Sequence, residues 1–464
     1  MFSRTLVPIV LAAVAAAGIV KIPMEISERS GLSDAQIRSL VTPLDVRAAD
    51  CPVNITDGGV FPGPDTPTAQ ALLSRNSFVT RQGTKLKLLG KDFRMVGTNI
   101  YWLGLDENVI PDPAYPSKTR VLEAFADVSV MHGTTVRGHT LGISVGNPLS
   151  VEPSLDVFND DAYESIDFAI LAARLYGIKL LIPLVDNYNY YHGGKYQFIG
   201  WAGHNFTGTG SNIIPPDVGA FFYNDTKVVN SFKRYITQHL NHVNHYTGIA
   251  LKDDPTILGW ESGNELAAVL FGDGPAPPAW TKEIGQLVKS LAPRQLFMDG
   301  SYGIFPDSGQ LETREVDIFG DHFYPPNITK LTTGMDLVNK AGRNYFAGEL
   351  DWTGNNAQSD PLDEFLSVIT KSSGAGDAFW SLFGHDDNCC QYVEHDDGES
   401  FYYLRENDTM PYISAGKTLI EHAAEITGQK KPTKFPAVAC PQYKFSSSLL
   451  PIDFGIDLGF GIHL

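Results

Sequence analysis

The chain has 464 residues, of which 43% are hydrophobic, 11% aromatic and 19% charged, so it has the material for a large core and is not a disordered polypeptide. Its 35 Lys and Arg against 53 Asp and Glu leave a formal net charge of −18. Clustered cations that would grip phosphates are missing, which excludes nucleic acid and anionic lipid as expected partners. A neutral, hydroxyl-rich substrate fits better, with 19 Tyr, 26 Phe and 6 Trp to supply stacking faces.

At the N-terminus, Arg4 precedes an apolar run from Leu6 to Val20 with small residues at Ala13 to Ala17, the pattern of a secretory signal. As a helix that run would rise only about 22 Å, short for a bilayer core. Residues 1–20 are therefore expected to be a signal peptide and the protein to be secreted, with no stable membrane partner. Asn54, Asn205, Asn224, Asn327 and Asn407 each have Thr two positions on and are expected glycosylation acceptors. Cys51, Cys389, Cys390 and Cys440 are even in number, as disulfide-bonded secreted chains prefer. Bridging the adjacent pair forces a strained ring, so one bond to Cys51 and one to Cys440 is expected. No C-x-x-C spacing points to zinc, and neither a metal nor a cofactor is expected.

Residues 21–77 are polar and punctuated by Pro and Gly, and read as an N-terminal extension. From Phe78 the texture changes to short apolar runs alternating with amphipathic ones. Strands are predicted at Met95–Trp102, Thr134–Leu141, Lys179–Asp186, Thr256–Glu265, Gln295–Asp299, Val316–Tyr324, Tyr345–Leu350 and Ala378–Phe383. Helices are predicted at Lys118–Met131, Ala162–Tyr176, Lys227–Asn244, Trp280–Leu291, Leu331–Ala341 and Leu362–Lys371. Strands apolar along their whole length and separated by helices imply a parallel sheet covered on both faces. Eight of them predict an α/β fold, a single-domain (β/α)8 TIM barrel over 78–427. The rival open sheet lacks a G-x-G-x-x-G after its first strand. Residues 428–464 form a tail; its stretch from Ser446 to Leu464 weakly mimics a lipid-anchor signal, interrupted by Asp453 and Asp457.

In such a barrel the reactive groups come from the C-terminal ends of strands. The second strand carries Arg137 and His139, and the fourth ends in Asn264-Glu265. The sixth ends in His322-Phe-Tyr324, the seventh in Gly348-Glu349, and the eighth carries Trp380. A carboxylate at the end of an apolar strand costs several kcal/mol to desolvate unless it is partnered. Two of them, on strands that lie across the barrel from one another, are what cleavage of a glycosidic bond needs. Arg137 and Tyr324 are placed to keep Glu349 ionised, Asn264 to donate to a sugar 2-hydroxyl, and Trp380 to floor the subsite. Trp102, Trp201 and Tyr190 are further candidate substrate contacts.

These strand ends resemble glycoside hydrolase family 5, and most nearly its fungal endo-β-1,4-mannanases. The resemblance rests on Ile257-Leu-Gly-Trp260-Glu-Ser-Gly-Asn264-Glu265, His322-Phe-Tyr324-Pro, Gly348-Glu349, Phe379-Trp380 and Arg137, and on Val243-Asn-His-Tyr-Thr-Gly248 running into the fourth strand. It covers roughly Phe78 to Ala424. It implies a retaining mechanism with Glu265 as acid/base and Glu349 as nucleophile, supported by Arg137, Asn264, His322, Tyr324 and Trp380. It further implies a β-mannan polysaccharide substrate, with β-glucan or exo-action as the alternative, and a monomer. An inert carbohydrate-binding barrel is the rival of another class. One departure stands out: those mannanases continue Pro-Arg after the acid/base, and this chain has Leu266-Ala267.

Two other patterns are set aside. His239, His242 and His245 have metal-like spacing, but on one helix they fan over roughly 120° and are read as a solvated face. Gly142-Ile-Ser144-Val-Gly146 fits the nucleophile elbow, but Asn147-Pro148 blocks the helix that motif requires.

Overall fold

The computed structural model describes residues 74–108, 113–206, 216–268, 274–387, 391–404 and 408–432, with Phe435 and Val438. The expected signal segment, all four cysteines, Asn54, Asn407 and the end of the tail lie outside the described residues. Among the described residues, no helix is long and apolar enough to cross a membrane.

Eleven strands are present among the described residues. The first three, β1 (Thr80–Gln82), β2 (Lys85–Leu88) and β3 (Lys91–Phe93), form a small antiparallel sheet joined by two-residue turns. The other eight are β4 (Val96–Asn99), β5 (Thr135–Arg137), β6 (Lys179–Pro183), β7 (Ile257–Glu261), β8 (Leu296–Met298), β9 (Ile318–Phe323), β10 (Asn344–Leu350) and β11 (Gly376–Phe379). They close into an all-parallel barrel in chain order, β11 pairing back onto β4. Every predicted barrel strand is found. Most are shorter than the apolar runs that announced them, because residues past the ladder, such as Asn264 and Glu265, belong to the loops at the barrel mouth.

The six predicted helices are present at Lys118–Val130, Asp161–Tyr176, Thr226–Asn241, Pro278–Leu291, Ile328–Lys340 and Leu362–Lys371. Several elements were not predicted, among them short helices at Lys195–Trp201, Pro216–Gly219 and Phe221–Asn224; two others bear on the barrel. The β1–β3 sheet closes the bottom of the barrel, where Val79 and Leu86 join Leu181, Leu258, Leu296, Met298, Ile318 and Phe346 in one buried cluster. A last helix, Met410–Ile426, packs on Leu362–Lys371. His422 pins it to β11, 2.7 Å from Asp377 Oδ2.

One irregularity decides where a key side chain points. Phe346 lies in the barrel-interior cluster, so strict alternation would aim Gly348 inward and Glu349 outward. The β9–β10 register shifts between Ala347 and Glu349, and Glu349 then pairs with His322. The extra residue flips the parity and turns Glu349 into the mouth. Glycine suits the bulge because a Cβ there would lie 2.9 Å from His322 Nε2.

Candidate active site

Arg137, at the end of β5, is fully buried and organises the mouth of the barrel. Its guanidinium is gripped from below by Glu261, Nε to Oε2 at 2.7 Å and Nη2 to Oε1 at 3.0 Å. On the open side Nη1 donates to Glu349 Oε1 at 2.6 Å, and Nη2 donates to Asn264 Oδ1 at 2.9 Å. Nη1 also reaches Asn99 Oδ1 at 3.2 Å, and Asn99 in turn donates to the Gly348 carbonyl at 2.9 Å. One planar fork thus fixes residues from β4, β7 and β10 together.

Glu349 receives more. Tyr324 donates its hydroxyl to Oε2 at 2.8 Å, His139 Nε2 stands 3.3 Å from Oε1, and His322 Nδ1 stands 3.5 Å from Oε2. Burial by itself pushes a carboxyl upward. Here the charge of His322, the bond from His139 and the Arg137 guanidinium outweigh it and hold Glu349 well below the usual carboxylate range. The two histidines part ways. Burial and the neighbouring Arg137 lower the pKa of His139 and so disfavour its charged form. Burial opposes protonation of His322 too, but the charges of Glu349 and Glu265 overcome it and raise its pKa.

Glu265 sits across from Glu349, with φ of +50° in the left-handed region that side chains other than glycine rarely adopt. Its two oxygens accept from different elements, Oε1 from His322 Nδ1 at 2.8 Å and Oε2 from the Tyr188 hydroxyl at 2.6 Å. An oxygen of Glu265, the His322 nitrogen and an oxygen of Glu349 all lie within 4.8 Å of one another. Beneath the loop, Gly300 and Gly263 nearly touch: a Cβ on Gly300 would lie 1.8 Å from the Gly263 carbonyl oxygen. That contact sets the height of the Asn264-Glu265 segment. Asn264 is oriented without ambiguity, since its oxygen accepts from Arg137 and its Nδ2 donates to Asp186 Oδ1 at 3.2 Å.

Glu265, Glu349, Arg137, Asn264, His322 and Tyr324 are therefore brought together as expected. Trp380 lines the same mouth, stacked on Tyr101 with centroids 5.4 Å apart and its Nε1 held by Asp397 at 2.7 Å. Tyr190 is exposed at the rim, 5.3 Å from the Tyr188 ring. Trp102 must be corrected. It is wholly buried, its Nε1 bonded to the Leu382 carbonyl at 3.0 Å and its ring covered by the Arg120 guanidinium at 4.4 Å. The chain turns after β4, so Tyr101 rather than Trp102 joins the aromatic wall. Trp201, the last residue of the Lys195–Trp201 helix, packs edge-on against Phe198 at 5.4 Å.

The residues missed from the sequence are the supports: Glu261, Asn99, Tyr188, Asp186 and Tyr101. Glu261 carried a signal, being a charged residue inside an otherwise apolar strand. The histidine triplet also needs correcting. The helix ends at Asn241, His239 is fully buried, and His242 and His245 lie beyond the helix, turned toward Asp167. It is no solvated face. The Leu266-Ala267 departure is structural as well: both residues are fully buried, and the Ala267 carbonyl accepts from Tyr223 at 2.7 Å.

A closed (β/α)8 barrel whose mouth holds two facing carboxylates is the architecture of a barrel glycoside hydrolase. Residues 76–357 match the model of the family described as GH family 5 beta-mannosidase-like, and the chain belongs to that family. It is 32% identical over 237 residues to mannan endo-1,4-beta-mannosidase 3 of Arabidopsis thaliana, covering 51% of this chain and 53% of that protein. It is 32% identical over 274 residues to mannan endo-1,4-beta-mannosidase 4 of Oryza sativa subsp. japonica, covering 59% and 56%. The chain thus spans about half the length of these curated relatives. The fold matches the endo-1,4-beta-mannanase from Rhizomucor miehei, with a TM-score of 0.61 at 24% identity over 76% of this chain and 100% of that one.

Proposed function

We propose that this protein is a retaining glycoside hydrolase that cleaves β-1,4-mannosidic bonds in mannan-type polysaccharides. The observation that carries the reading is the Glu265–Glu349 pair, with an oxygen of each within 4.8 Å of the other. Retaining pairs stand about 5–5.5 Å apart and inverting pairs about 6.5–9.5 Å, the latter leaving room for a water. Glu349, kept ionised by His322, His139 and Arg137, attacks the anomeric carbon. Glu265 gives its proton to the departing oxygen, then takes one from the water that releases the covalent glycosyl-enzyme. The second N–H of Asn264 faces the sugar 2-hydroxyl, and Trp380 presents the ring face not covered by Tyr101. The names of the relatives support mannan as substrate.

The test is release of reducing ends from galactomannan, glucomannan, carboxymethylcellulose and laminarin. Mannan-containing substrates should be cleaved and the two glucans spared; the reverse order overturns the substrate assignment. Glu349→Gln should abolish all turnover. Glu265→Gln should lose the polysaccharide and keep the glycosylation step on aryl glycosides with good leaving groups. Full polysaccharide activity in Glu265→Gln would remove its role.

We also propose that the protein is a secreted glycoprotein. Asn205, Asn224 and Asn327 are exposed, as acceptors must be. Loss of apparent mass on endoglycosidase treatment of secreted material, smaller in the Asn224→Gln/Asn327→Gln double variant and absent when Asn54, Asn205 and Asn407 are also replaced by Gln, is the expected result.

A further inference from the structure

Away from the cleft, three metal-ligating side chains meet. Asp167 comes from the Asp161–Tyr176 helix, His242 caps the Thr226–Asn241 helix, and His245 stands in the turn that leads on toward β7. His242 Nε2 lies 3.0 Å from Asp167 Oδ2 and His245 Nδ1 lies 3.1 Å from the same oxygen. One ligand atom from each residue falls within 4.8 Å of the others. We propose that Asp167, His242 and His245 form a binding site for a zinc-type divalent cation, separate from the active site.

The donor set and its geometry argue for this. Two imidazoles and one carboxylate suit zinc and its late first-row neighbours, whereas calcium and magnesium take oxygen ligands. Ligand atoms about 2.0–2.1 Å from a tetrahedral zinc stand roughly 3.4 Å from one another, so the observed N···O spacings need open by only a few tenths of an ångström. The two imidazoles now point their N–H groups at Asp167. On metal binding each proton moves to the other ring nitrogen, freeing the lone pair.

The surroundings are built to hold the ligands still. The His242 ring is stacked on Tyr163 with centroids 3.5 Å apart and planes 10° from parallel. The His245 backbone N–H donates to Asp167 Oδ2 at 2.8 Å, and Asn244 Nδ2 donates to the Asp167 carbonyl at 3.0 Å. Such outer contacts orient ligands as second-sphere bonds do in established sites. Glu164, on the same helix as Asp167, and Asp160, at that helix's N-cap, add negative potential at His245. The Asp167 side chain is fully buried while that of His245 is 36% exposed, which gives a cation an entry and a water the fourth position. A bound ion would tie the Asp161–Tyr176 helix to the connector that feeds β7 and its Glu261.

The experiment is titration of chelator-stripped protein with Zn²⁺ by calorimetry, with melting temperature followed in parallel. One equivalent should bind, with a rise in melting temperature of roughly 2–4 °C or more at saturation, and Ca²⁺ at the same concentration should give none. His245→Ala and His245→Gln, at a half-exposed position, should fold and lose that equivalent. Glu265, His322 and Glu349 are the other group of closely spaced ligand atoms among the described residues, so Glu349→Gln serves as the control and should keep both the equivalent and the thermal shift. No saturable binding, binding undiminished in either His245 variant, or loss of the equivalent in Glu349→Gln overturns the proposal.

Discussion

Arg137→Lys keeps the charge and should nevertheless cost most of the activity. A guanidinium presents donors in a fixed fork, and here opposite edges of that fork are committed to Glu261 and to the Glu349–Asn264 side. An ammonium is a single point and cannot span both. It should stay with Glu261, which is fully buried and would otherwise be an unpaired charge costing about 3–5 kcal/mol. Glu349 then loses one charge-assisted bond of about 1.5–3 kcal/mol, and Asn264 one of about 1 kcal/mol. The sum of roughly 2.5–4 kcal/mol at about 1.4 kcal/mol per decade gives a fall of roughly 100- to 1,000-fold in kcat/KM. The assay is initial rates on mannan and on an aryl mannoside across pH. Because Glu349 loses part of what holds its carboxyl down, the acidic limb of the profile should also move to higher pH. A variant that keeps more than a tenth of wild-type kcat/KM, with an unmoved acidic limb, would refute the argument that fork geometry rather than charge is what Arg137 supplies.

Four further outcomes follow from the same structure. Gly300→Ala puts a Cβ 1.8 Å from the Gly263 carbonyl, so the Asn264-Glu265 loop must shift; about 1–3 kcal/mol of stability and a large part of kcat should be lost, and a wild-type melting temperature would contradict the contact. Ala267→Arg, which restores the family residue, should destabilise by about 3 kcal/mol or more in chemical denaturation rather than improve activity, because the position is sealed in the core. Tyr188→Phe removes the donor to Glu265 Oε2 and should lower turnover of mannan about tenfold while sparing the glycosylation step of activated aryl glycosides in pre-steady-state measurements. His239 has its pKa pushed down to about 3, chiefly by burial and then by His242. The unfolded chain therefore takes up a proton below about pH 6.5 that the native one refuses. Stability should fall as pH drops from about 6.5 toward 3, by about 1.4 kcal/mol per unit from this group, and His239→Gln should flatten that slope.

The barrel was legible because its strands carry the two strongest signals a sequence has, continuous apolar runs and regular alternation with amphipathic helices. The paired glutamates were legible because a carboxylate at the end of such a run is costly and calls for a reason. What could not be read was anything that depends on where the backbone turns. Trp102 and Tyr101 are neighbours of similar chemistry, and only the path of the chain after β4 sends one into the core and the other beneath Trp380. Tyr188 is one of three tyrosines within four residues, and only the folded loop carries its hydroxyl to Glu265.

The histidine triplet shows the same limit from the other side. On a helix continuing to His245, three side chains spaced three residues apart at about 100° per residue fan apart. The helix ends at Asn241, and beyond it His242 and His245 are free to turn back toward one buried carboxylate from another helix. Asp167 carried no signal of its own, lying 75 positions before His242 in an unremarkable amphipathic run. A ligand set assembled across a helix end cannot be excluded by helical periodicity. Such a site is decided by where the helix stops.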